Sequence, residues 1–92
     1  MYYFLNSCGA KDLLKLSAED ICACYISAAC HDVGHVGFTN AYLINTLDPL
    51  AILYNDRSVL ENYHVSLTYT IMEEAKNNIF KNQTQQAYLN MR

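Results

Sequence analysis

Three glycines and one proline are all the chain-breaking residues this 92-residue sequence contains. Glycine and proline are the strongest local punctuators of regular structure, so long stretches here have nothing to interrupt them. The same stretches hold nine alanines and eleven leucines, residues that favour the helical backbone. The pattern predicts an all-α fold of about five helices joined by short connections. At this length the chain makes at most one domain.

Start and stop signals place the helices. Ser17 followed by Ala18-Glu19-Asp20 is a hydroxyl cap with acids in the first turn, which suits the helix dipole. The helix it opens runs to His31-Asp32, with Ile21, Tyr25 and Ala28 predicted as one buried stripe. Gly34 and Gly37 end that pattern. Thr39 or Asn40 caps a short second helix, and Asp48-Pro49 marks a break and a new helix start. After the turn Asn55-Asp56-Arg57, the residues Ser58 to Glu61 form a capping-box pattern. The following helix carries Leu60, His64, Leu67 and Ile71 on one stripe and fades at Asn77-Asn78. Thr84 caps a last helix.

Composition narrows the class. Hydrophobic residues make up 52% of the chain, which excludes a disordered segment. Six basic against nine acidic residues give a net charge of −3, and a phosphate-backbone binder needs the opposite sign, so no nucleic-acid partner is expected. No apolar run approaches the ~20 residues needed to span a bilayer, so no membrane segment is expected. The apolar start lacks the basic region of a secretory signal. Cys8, Cys22, Cys24 and Cys30 then read as reduced thiols, buried as small hydrophobes, in a cytoplasmic protein. Cys22 and Cys24 stand ~200° apart around a helix and cannot share an ion. Charged residues are only 16%, against roughly 25% in an ordinary soluble domain. A surface so short of charge implies helices that expect further partners. The chain is expected to be a piece of a larger domain or half of an obligate interface.

The chemistry is concentrated around the histidines. His31 and His35 flank Asp32 at a helix end bounded by glycines. Neutral imidazole and carboxylate are good ligands for zinc, manganese or iron, and a carboxylate can bridge two ions. Adjacent side chains diverge by ~100° on a helix, so both His31 and Asp32 can reach an ion lying between them. The bland alternative is a histidine favoured at a helix C-terminus with an acid in the following turn. His64, on an apolar stripe, also reads as a hydrogen-bonded core histidine. Glu61 reads as the partner of Ser58 in the capping box, and His35 as a loop histidine.

The longer string carries more. His31-Asp32-Val33-Gly34-His35-Val36-Gly37-Phe38-Thr39-Asn40 resembles the HDxxHxGxxN signature of the class I cyclic nucleotide phosphodiesterases. Tyr54-Asn55-Asp56-Arg57-Ser58-Val59-Leu60-Glu61-Asn62-Tyr63-His64 is similar to that family's YNDxSVLENHH segment. The similarity runs from about Ser17 to Arg92. It implies the compact multi-helix fold of HD-type phosphodiesterases and hydrolysis of 3′,5′-cyclic AMP or cyclic GMP to the 5′-monophosphate. It also implies two divalent ions, zinc and magnesium or manganese. By resemblance, His31 and Asp32 are metal ligands. His35 and Glu61 stand near the second metal, its waters or the phosphate, and Asn40 and His64 support the pocket. Two cations sharing a water would make it acidic near neutral pH and neutralise the phosphate oxygens during in-line attack.

The sequence departs from the family in places. Gly34 stands where an acid is usual, Val36 where proline is usual, and Tyr63 where the first histidine of ENHH is usual. No histidine precedes His31, so the family's HNxxH helix, with the general-acid histidine and another metal ligand, is not found. The family's last metal-binding aspartate and purine-selecting glutamine are expected beyond Arg92. The expectation is therefore a partial catalytic domain over residues 1–92, inactive alone, whose partners are the cyclic nucleotide and the rest of the catalytic domain. The competing readings are a non-catalytic relic acting as a helical interaction module, and another HD-type metallophosphohydrolase. The ENxH block after a YND turn argues against the latter. The shortage of charge generates a test: the isolated chain should self-associate. Light scattering that shows a monodisperse monomer would remove the argument from surface composition.

Overall fold

The computed structural model describes every residue from Met1 to Arg92, and all its regular structure is helical. A π-helical turn, Tyr3–Ser7, is followed by α1 (Ala10–Leu13), α2 (Ala18–Cys30), α3 (Asn40–Asn45), α4 (Pro49–Leu53), α5 (Val59–Glu73) and α6 (Gln85–Met91). The two short N-terminal segments were not predicted, because neither carries a side-chain cap. No helix is long and apolar enough to cross a membrane.

The chain forms two compact units. The first comprises Met1–Ala29 with Ile79–Arg92. Here α2 starts as its sequence predicts. The Asp20 N–H donates to Ser17 Oγ at 3.1 Å, and Asp20 Oδ2 accepts from the Ser17 N–H at 2.9 Å. The Ser17 hydroxyl also donates to Asp20 Oδ2 at 2.8 Å, and this bond is the main reason that the Asp20 carboxyl lies below the usual range. The stripe predicted on α2 is not buried. Tyr25 is 38% exposed, and no residue of α2 is fully enclosed. A helix buries its stripe only where other chain lies over it, and this unit has little, burying Leu5, Phe80 and Ala87. The cysteines likewise depart from expectation: all four are free, Cys8 and Cys22 are exposed, and Cys24 and Cys30 are only half-buried.

The second unit, Cys30–Asn78, holds the continuous core. Leu43, Ala51, Val59 and Leu60 form its centre, with Ile44, Leu50 and Tyr54 against it. Leu43 is 1% exposed, and burial of such a side chain is worth roughly 1.5–3 kcal/mol. Thr39 caps α3 by accepting from the Tyr42 N–H at 3.2 Å, and Asp48 caps α4 by accepting from the Leu50 N–H at 2.9 Å. On α5 the buried positions are Val59, Leu60, His64 and Thr68, whereas Ile71 is 41% exposed. The buried row thus follows the i, i+4 line from Leu60 through His64 to Thr68. Thr68 is tolerated there because its hydroxyl donates to the His64 carbonyl at 2.7 Å. The helix ends at Glu73, a turn earlier than the Asn77-Asn78 signal.

One glycine decides how the loop after α2 meets α5. Gly34 has φ +67, and a Cβ there would run into the Leu67 side chain and stand 3.3 Å from the Tyr63 hydroxyl. Gly37 also has positive φ, at +85, but open space around it. Gly34→Ala should therefore cost about 1–3 kcal/mol by strain plus overlap, and Gly37→Ala only the backbone part. Urea denaturation followed by the helical signal checks this. Equal losses at the two positions would mean that Gly34 does not lie against α5.

Candidate functional site

The residues singled out by sequence all lie in the second unit; two segments bring Asp32, His35 and His64 together with His31 beside them, whereas Glu61 pairs with Asn40. The first is the turn after α2. The Val33 N–H donates to Cys30 O at 3.1 Å and the His35 N–H to Asp32 O at 3.1 Å, so the chain coils tightly through His31, Asp32 and His35. The second is the N-terminal half of α5, which carries Glu61 and His64.

His64 links the two. It is 4% exposed, and its Nδ1 lies 2.8 Å from the Val33 carbonyl oxygen. A carbonyl can only accept, so Nδ1 carries the proton and donates. In the neutral ring Nε2 is then a bare lone pair. It faces Asp32 Oδ1 at 3.9 Å, longer than a hydrogen bond. His35 has the opposite arrangement. Its Nδ1 lies 2.9 Å from the Gly37 N–H, which can only donate, so the neutral His35 carries its proton on Nε2. The two rings stack with centroids 5.6 Å apart. Donor atoms of Asp32, His35 and His64 all lie within 4.8 Å of one another. His31 is outside this group of three but next to it, with Nε2 3.2 Å from Asp32 Oδ2. Each oxygen of Asp32 thus faces a different imidazole. The Asp32 side chain is 64% exposed, so the cluster is open on one side.

Glu61 does not join a capping box. Ser58 sits in the left-handed region, at φ 41 and ψ 52, and makes no side-chain cap bond. A capping residue needs extended backbone to aim its hydroxyl at the helix end. Asn40 does this work instead. Its Oδ1 accepts from the Leu60 N–H at 2.9 Å, and its Nδ2 donates to Glu61 Oε2 at 3.0 Å. The Asn40 amide is the main reason that the Glu61 carboxyl stays below the usual range. Because its folded-state value is depressed, the contribution of Glu61 to stability is present above the ordinary carboxylate range. It is lost as the pH falls through the folded value.

A carboxylate with two usable oxygens and imidazoles on both sides is a donor set that suits zinc, manganese or magnesium. The tautomers divide the labour. His64 presents a lone pair, and its second nitrogen is tied to a backbone carbonyl, the arrangement that orients metal-binding imidazoles. His35 presents an N–H, which suits an anion or a water oxygen better than a cation. Sequence reasoning placed His64 as a hydrogen-bonded core histidine and, by resemblance, as support for the pocket; its burial and its bond to Val33 agree with the first. Its partner is a backbone carbonyl, which no residue pattern encodes. Two departures from the expected motif also meet here, since the Tyr63 hydroxyl occupies space beside Gly34 that a side chain at position 34 would need.

Comparison with known proteins adds the following. Residues 1–92 match the family model described as 3′5′-cyclic nucleotide phosphodiesterase. Dual 3′,5′-cyclic-AMP and -GMP phosphodiesterase beta of Plasmodium falciparum is 48% identical over 68 residues, covering 74% of this chain and 6% of the relative. High affinity cAMP-specific and IBMX-insensitive 3′,5′-cyclic phosphodiesterase 8 of Drosophila melanogaster is 40% identical over 90 residues, covering 97% of this chain and 10% of the relative. Probable 3′,5′-cyclic phosphodiesterase pde-6 of Caenorhabditis elegans is 47% identical over 92 residues, covering 98% and 12%. The chain spans only a small part, 6% in the first case and 14% in another, of the length of the curated relatives it matches.

The tautomer assignment is directly measurable. Long-range ¹H–¹⁵N spectra taken with the imidazoles neutral should show His64 protonated at Nδ1 and His35 at Nε2. A His64 proton on Nε2 would take that nitrogen out of the set of cation donors.

Proposed function

This chain belongs to the 3′5′-cyclic nucleotide phosphodiesterase family, and we propose that it forms part of a catalytic domain that converts 3′,5′-cyclic AMP or cyclic GMP to the 5′-monophosphate. The observation that carries the reading is the convergence of Asp32, His35 and His64 within 4.8 Å, with His31 on the other oxygen of Asp32. The second unit, Cys30–Asn78, supplies one wall of the site. The general-acid histidine and the remaining metal ligands come from polypeptide outside this chain.

His31 and Asp32 would hold the divalent ions, zinc with magnesium or manganese in this reading, the two Asp32 oxygens facing His31 and His64. When bound, the ions neutralise phosphate oxygens and make water acidic enough to attack phosphorus. The residues of the chain do the rest. His35 donates Nε2–H toward the phosphate or an ordered water. Glu61, held by Asn40, would accept from a water in the outer shell of the second ion. His64, buried and fixed by Val33, supports the pocket with its Nε2 on the side of Asp32. The four free thiols accord with a cytoplasmic location, which belongs to the same proposal.

In a catalytic domain carrying this segment, Asp32→Ala should abolish turnover and lower the bound metal measured by elemental analysis. His35→Asn should lower kcat by about 10–100-fold, the range for partners one step removed from the metal. The 92-residue chain alone should not hydrolyse cyclic nucleotide. Full activity of Asp32→Ala, or robust turnover by the chain alone, would overturn these assignments.

A further inference from the structure

We propose that Asn40 is the positioning residue for Glu61, with one carboxamide both capping the helix that carries Glu61 and holding its carboxylate in a single orientation. The two jobs demand opposite chemistry. The Leu60 N–H at 2.9 Å needs an acceptor, and the Glu61 carboxylate at 3.0 Å needs a donor. An amide offers one of each on a rigid plane, and its orientation is fixed by these partners. Aspartate supplies only the acceptor, and serine is too short for two partners so placed.

The surroundings make Asn40 necessary. Ser58 occupies the position from which a local cap would act, but its left-handed backbone turns the hydroxyl away from that task. Leu60 is the second residue of α5, whose amide has no partner within the helix. Asn40 reaches it from the first residue of α3, 20 positions earlier, and the Thr39 cap anchors that end of α3. The buried core of Leu43, Val59 and Leu60 sets the spacing of the two helices. The same hydrogen bond holds the Glu61 carboxyl below its usual range. This inference rests on the phosphodiesterase reading only for the use to which Glu61 is put.

The full 92-residue chain with Asn40→Asp and with Asn40→Ala separates the two jobs. Amide exchange of Leu60 reports the cap, and scalar couplings of the Glu61 side chain report its orientation. Asn40→Asp should keep Leu60 protection within about threefold of wild type and change Glu61 from one rotamer to an averaged set. Asn40→Ala should average Glu61 too and speed Leu60 exchange by about 5–30-fold, the usual worth of a lost cap. If Asn40→Ala does not fold, the Asn40→Asp variant still decides the question. Glu61 remaining in one rotamer in Asn40→Asp, or already averaged in the wild type, would reduce Asn40 to a cap and overturn the inference. Mn²⁺ added alone should broaden the Glu61 carboxyl signal in wild type and several-fold less in Asn40→Asp. Rotamer averaging in Asn40→Asp without Mn²⁺ broadening in either protein would uphold the role of Asn40 and overturn the metal-pocket reading instead.

Discussion

The hydrogen bond from His64 Nδ1 to the Val33 carbonyl joins residues 31 positions apart, and the candidate site depends on it. It fixes the turn that carries His31, Asp32 and His35 against the buried face of α5. It also spends the single proton of a neutral imidazole on the backbone, which leaves Nε2 as a lone pair toward Asp32. Because the ring is nearly fully buried, a lost partner would leave a desolvated polar atom, an outcome that costs about 1–3 kcal/mol. The bond is therefore a constraint on conformation as much as a source of stability.

A second cross-link works beside the first. Asn40 ties the start of α3 to the start of α5 through Leu60 and Glu61. Together the two links anchor two successive turns of α5, Glu61 at one and His64 at the next. Beside them is the apolar core of Leu43, Ala51, Val59 and Leu60. The core supplies the energy of association between α3, α4 and α5, and the polar links select the register. A nonpolar contact tolerates sliding by a fraction of an ångström; a bond to a defined carbonyl or amide does not.

The apolar surface has a different logic. Leu13, Leu47, Ile52 and Leu53 are each more than two-thirds exposed. Few charges are available to cover them, which agrees with a chain whose helices expect more polypeptide around them. Gly34 and Tyr63 show how such a scaffold accommodates change. Each departs from the expected motif, and the two stand against each other, so the large ring takes space that a side chain at position 34 would need.

By itself the sequence determined the helical class, the caps at Ser17, Thr39, Asp48 and Thr84, the turn at Asn55-Asp56, and the clustering of His31, Asp32 and His35. These are local properties, set by backbone preference and by hydrogen bonds between residues a few positions apart. Only the tertiary structure decided that Asn40 rather than Ser58 caps α5, that α2 buries no complete stripe, and that His64 faces Asp32 with a bare nitrogen. Those outcomes depend on which distant backbone group lies within 3 Å. A linear pattern does not encode that, because the position of a carbonyl such as that of Val33 follows from how the whole chain packs and not from which residue bears it.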